Sequence, residues 1–105
     1  MARLSATASI DVMIRCIDAG QIDLAEAALR INGLMPLVDE REKSLLNVFL
    51  RFAQDVSHLA IAQQRNAMSK RERREQDDER DQISQRYYHE VMEAAGHWKK
   101  YRALH

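Results

Sequence analysis

Four groupings of side chains have types and spacings that could do chemistry. His89, Glu93 and His97 recur every fourth residue, which would align three metal-ligand types along one helix face. Gly96 falls just before His97, however, and the run from His89 to Glu93 lacks the second histidine of the zinc-protease pattern. Solvated or capping side chains are the simpler account, and no metal site is assigned. Cys16 is the single cysteine, so no disulfide can form within the chain and no cysteine-rich zinc site exists. It neighbours Met13, Ile14 and Ile17, as a small core residue would, and no histidine stands in a pattern that would make it a base for Cys16 or for a serine. The three glycines are widely separated and suit helix ends, which excludes a glycine-rich phosphate loop. Nothing here assigns a catalytic residue or a cofactor, and the expectation is a non-enzymatic protein.

Two groupings remain, and both concern binding. Lys70, Arg71, Arg73 and Arg74 form the densest basic cluster, a candidate contact for nucleic-acid phosphates. The acidic residues Glu75, Asp77, Asp78, Glu79 and Asp81 follow directly, so a solvated, salt-bridged surface is the competing account and ranks ahead of it. The aromatics collect in the last quarter as Tyr87, Tyr88, Trp98 and Tyr101, with Val91 and Met92 between them. Core packing is the default for such residues, but adjacent Tyr87 and Tyr88 cannot both face one neighbouring helix. Aromatic and methionine side chains anchor protein interfaces. These six residues are therefore the expected partner-binding surface.

The elements that must carry these groups are all helical. Three Gly and one Pro in 105 residues, with 30% charged side chains, favour long helices. Ile10, Met13, Ile14 and Ile17 mark a first helix over about 9–19, with Ser9 as N-cap and Gly20 as stop. A second helix over about 22–32, rich in alanine, pairs with it as a short αα-hairpin. Asp39 with Glu42 forms a capping-box pattern. Beyond it the ridge Leu45, Phe49, Phe52, Val56 and Leu59 predicts one long helix over 39–74.

Residues 69–82 carry no apolar side chain. Ser69-Lys-Arg-Glu72 matches a capping box and would start a helix at Lys70, but it would set a basic cluster at the positive end of a helix dipole. A turn near Gln76 capped by Asp77 or Asp78 is preferred on that ground, and an unbroken helix is the second choice. The turn would make 69–82 a polar hairpin tip and set Ile83 near Ala67, Val91 near Ala60, and Ala95 near Val56. A helix over 78–95 and a short segment over 97–104, separated at Gly96, complete the prediction.

The expected architecture is thus a single all-α domain over 1–105, an N-terminal αα-hairpin packed on a long helical hairpin. Sixteen basic and sixteen acidic residues give zero net charge, against a surface that is globally a trap for polyanions. The longest run without a charged side chain, Val56–Gln64, is too short to span a bilayer, and Met1–Asp11 does not resemble a secretory signal. A cytoplasmic adaptor, chaperone or regulator is expected, binding a partner protein through an amphipathic helix surface and forming a homodimer. The alternative is a small nucleic-acid-binding regulator.

Overall fold

Helix α1 spans Ala2–Asp18 in the computed structural model, which describes residues 2–59 and 66–104. It is followed by α2 (Leu24–Leu34), a 3-10 turn (Met35–Leu37), α3 (Glu40–Leu45), α4 (Asn47–Val56) and α5 (Lys70–Leu104). Among the described residues there is no strand, and the fold is all-α. Helix α2 packs on α4, α4 on α5, and α1 on both α2 and α5. Their inward faces share one apolar cluster, in which Ile10, Ile14, Ile31, Leu46, Phe49, Phe52, Val56, Val91 and Trp98 are almost wholly excluded from solvent. Ala25, Ala27 and Ala28 are fully buried, small side chains that let α2 approach its neighbours closely.

The first helix begins seven residues before the predicted start, and Ser9 is an exposed residue inside it rather than its cap. Its early turns are held by tertiary contact: Ala6 and Thr7 are buried, and Thr7 satisfies its hydroxyl on the Leu4 carbonyl at 3.0 Å. The stop at Gly20 is as expected. Gly20 has φ +67°, and its amide donates to Ile17 O (3.1 Å) while that of Gln21 donates to Cys16 O (2.9 Å). This is the paired closing bond of a Schellman motif, which favours glycine at the left-handed position.

The capping box at Asp39 and Glu42 also forms, each side chain accepting the other residue's backbone N–H, at 2.9 and 3.0 Å. The single helix predicted over 39–74 does not. It breaks at Leu46 (φ −100°, ψ 7°), a fully buried residue that no local sequence feature marks, and α4 ends at Val56. Residue 60, expected opposite Val91, lies outside the described residues.

The chain then reverses ahead of residue 70 rather than at 76. Helix α5 starts at Lys70 and runs without interruption for 35 residues, through the supposed turn and through Gly96. Ser69 caps it, its hydroxyl accepting Glu72 N at 3.1 Å. A side-chain cap stabilises a helix by about 1 kcal/mol, and the opposing dipole effect of exposed charges, about 0.3–1 kcal/mol each, is screened by salt and falls off within the first turn. Arg73 also escapes the penalty, donating its guanidinium to the Met68 carbonyl at 3.1 and 3.3 Å. Asp77 and Asp78 are therefore mid-helix residues, and 69–82 is neither turn nor hinge. Moving the reversal moves the pairing register. Arg51 meets Glu90 and Asp55 meets Tyr87, so Val56 no longer faces Ala95. The offset from the expected register is about ten residues, roughly three helical turns.

Candidate interaction surface on the last helix

Two polar clusters fix α5 in place. The first centres on Glu42, a carboxylate with no solvent exposure. Arg3 of α1 donates to both its oxygens (Nε to Oε1, 3.0 Å; Nη2 to Oε2, 2.9 Å), the Tyr101 hydroxyl donates to Oε2 (3.1 Å), and the Asp39 amide donates to Oε1. A buried carboxylate is tolerated only when its lone pairs are met, and here four donors from three segments meet them. The Glu42 carboxylate raises the Arg3 pKa above its ordinary value, through hydrogen bonds first and charge second. Burial, and then the bond to Glu42, push the Tyr101 phenol up. Arg41 stacks its guanidinium over the Tyr101 ring at 5.4 Å.

The second cluster centres on Asp11 of α1. It accepts Trp98 Nε1 at 2.8 Å and a forked pair of bonds from Arg102, with Nη2 to Oδ2 at 3.1 Å. Lys99 pairs with Asp18 one step along the same seam. A third set of contacts joins α4 to α5. Phe52 stacks on Tyr87 with ring centroids 4.9 Å apart, the Tyr87 hydroxyl bonds Asp55, and Arg51 pairs with Glu90 at 2.6 Å. The bond to Asp55 raises the Tyr87 pKa, and burial adds to it. The bond to Glu90 raises that of Arg51.

These contacts divide the six residues expected to bind a partner. Val91, Trp98 and Tyr101 lie on the inward face of α5 and belong to the core, with exposures of 0, 1 and 9%. Burial claims them because the helix continues past Gly96, which keeps positions 91, 94, 95, 98 and 101 on one side. Tyr87 and Met92 are half-buried beside them. Tyr88 is 56% exposed, so of the adjacent tyrosines one faces the core and the other faces out. Tyr88 lines an open groove with Leu24, Asp81, Ser84 and Gln85, where the start of α2 meets the middle of α5. The expected six-residue surface thus reduces to Tyr88, flanked by the edges of Tyr87 and Met92.

The basic cluster is placed differently. Lys70, Arg71 and Arg74 are exposed on the first turns of α5, while Arg73 is half-buried against Met68. Arg71 pairs with Glu75 at 3.3 Å. The inward side of this same stretch is polar too. Gln76, Arg80 and Ser84, on successive turns, each hold one buried polar atom without a hydrogen-bond partner among the described residues. Arg80 reaches Asp23, the N-cap of α2, at 3.7 Å.

Gly96 being helical, His89, Glu93 and His97 do share a helix, yet they remain an exposed i,i+4 pair (His89 to Glu93, 2.9 Å) and a separate exposed histidine. No group of three His, Cys, Asp or Glu among the described residues could hold a metal ion. Cys16 is a half-buried free thiol. Neither the Glu42 nor the Asp11 cluster is legible as a whole in the sequence. Asp39 and Glu42 give a visible capping pattern, but the distant donors Arg3 and Tyr101 leave no local signal.

No helix among the described residues is long and apolar enough to cross a membrane. Comparison with curated proteins and with solved structures gives no match. Residues 2–97 match the family described as a protein of unknown function (DUF2489), and the chain belongs to that family.

Proposed function

We propose that this protein is a non-enzymatic interaction module, a small cytoplasmic adaptor, chaperone or regulator that offers the outer side of α5 to a partner protein and forms a homodimer. One observation carries the reading. Helix α5 matches the full length of the molecule, about 50 Å against a longest extent of 48 Å, yet no residue before Ile83 is buried in the core. Only residues 70–82 of α5 lack an apolar side, and a helical stretch that is polar all round adds little to the core and suits a bridge or platform. Tyr88 adds an exposed aromatic anchor beside an open groove, the kind of side chain enriched where proteins meet.

The nucleic-acid reading draws on Lys70, Arg71 and Arg74, exposed at a helix N-terminus. Asp78 and Asp81 weigh against it, since they lie on the same outward side within the next two turns and would repel a phosphate backbone laid along α5. The test is a photo-crosslinking amino acid placed at position 88 and, as control, at exposed position 30. A discrete protein adduct from position 88 alone is expected. Identical smears from both positions would sink the proposal, and salt-sensitive DNA or RNA retention lost on Arg71→Ala with Arg74→Ala would replace it with the rival.

A further inference from the structure

The outward side of the α5 tip carries a charge order that matches its own reverse. Arg71, Arg74, Asp78 and Asp81 follow one another at spacings of three, four and three, so they form a single stripe along the helix. All four are exposed, and the stripe points away from the side carrying Ile83, Val91 and Ala94. Two positive charges, of which Arg71 also pairs with Glu75 at 3.3 Å, are followed by two negative ones, and the midpoint of the stripe is level with residue 76, whose own side chain turns inward.

We infer that two copies of this chain pair antiparallel through these stripes, about a two-fold axis level with residue 76 on the outward side of the helix. This rests on the interaction-module reading and names a second copy as one occupant of α5. In that register Arg71 of one copy faces Asp81 of the other and Arg74 faces Asp78, and the symmetry doubles each contact to give four opposite-charge pairs. Parallel pairing would set arginine against arginine and aspartate against aspartate. Among the described residues, the helices packed on α5 meet it chiefly on the side of Ile83 and Val91, with the start of α2 at Leu24 reaching the edge of Asp81, so the two bodies extend to opposite ends of the contact. The overlap from 71 to 81 is about 15 Å long, which is short for a stable interface, so the association is weak and depends on low ionic strength.

Charge reversal tests this directly. One variant carries Arg71→Glu and Arg74→Glu, giving four acidic residues on the stripe; the other carries Asp78→Lys and Asp81→Lys, giving four basic ones. Sedimentation velocity of the full chain would be run from low micromolar to millimolar concentration, at low and high salt, with circular dichroism confirming that each variant is folded. The wild type is expected to self-associate at low salt and to weaken about tenfold or more as the Debye length shrinks from about 10 Å at 0.1 M toward 3 Å at 1 M. Each variant alone is expected to be monomeric, and their equimolar mixture to associate at least as tightly as the wild type. A wild type that stays monomeric throughout, variants that self-associate undiminished, or a mixture that fails to associate would each overturn the pairing. So would a monomer that instead binds a short DNA duplex through the same arginines. Tyr88 shares a groove with Asp81, so the discriminating readout is the identity of the position-88 adduct. An adduct with a different protein that survives loss of the pairing would show that only self-association, not partner binding through α5, had failed.

Discussion

Replacing Glu42 by alanine should be among the most damaging single changes available, although Glu42 lies in no recognisable motif beyond a helix cap. The substitution removes the carboxylate that accepts the Tyr101 hydroxyl, in a position 9% exposed, and a hydrogen bond to a charged group contributes about 1.5–3 kcal/mol. It also removes a buried methylene, worth about 0.8 kcal/mol, and half of the capping box, worth up to about 1 kcal/mol. Two effects act the other way: a carboxylate no longer has to be held from water, and the Arg3 head, whose side chain is 47% exposed, can rehydrate. The net expectation is a loss of about 2–4 kcal/mol, a large share of the 5–15 kcal/mol available to a domain. For a chain of this size it lowers the melting temperature by roughly 10–25 °C. Thermal and urea unfolding followed by circular dichroism measure it. Glu40→Ala serves as control, since that side chain is 92% exposed and should matter by less than about 0.5 kcal/mol. A Glu42→Ala loss below about 1 kcal/mol would show that Arg3 and Tyr101 do not depend on this carboxylate, and the argument for the cluster as a tertiary lock would fail.

Gly96 offers the opposite sign. It lies inside α5 with nothing within 4 Å of the place a Cβ would occupy, so Gly96→Ala should stabilise by about 0.5–1 kcal/mol; destabilisation would mean that α5 stops or kinks there. Alkaline pH should weaken the fold through Tyr87 and Tyr101. Both phenols have folded pKa values above the ordinary value of 10.0, so the unfolded chain ionises first, and their stabilisation, complete below about pH 10, is lost as pH rises beyond it. Stability measured between neutral and alkaline pH should fall less steeply for Tyr101→Phe, and an unchanged slope would refute the assignment.

The sequence by itself determined the fold class, and it did so wherever the deciding interaction was local. Few glycines and a single proline left helices as the only regular element. Asp39 with Glu42, and Gly20 after an apolar stripe, mark helix ends because a cap or a left-handed residue acts within one turn. The apolar periodicity of 10–17 and of 83–95 identified the inward faces for the same reason, and the adjacency of Tyr87 and Tyr88 already required that one of them face out. Ser69 with Glu72 is equally legible as a capping box, and the basic cluster beside it is a local signal that points the other way.

Tertiary structure decided the rest. Nothing local bends the chain at Leu46, and nothing local extends α1 back to Ala2; both follow from contacts with segments far along the chain. Gly96 is a stop in one context and a helix interior in another, and only packing of Trp98 and Tyr101 against α1 and α3 selects the second. The register of α4 on α5 could not be read because apolar stripes tolerate sliding by whole turns, whereas Arg51 with Glu90 and Asp55 with Tyr87 accept one alignment. The separation of Tyr88 from Val91, Trp98 and Tyr101 has the same origin. Side chains alike in type are divided between core and surface by the direction in which a continuous helix turns them.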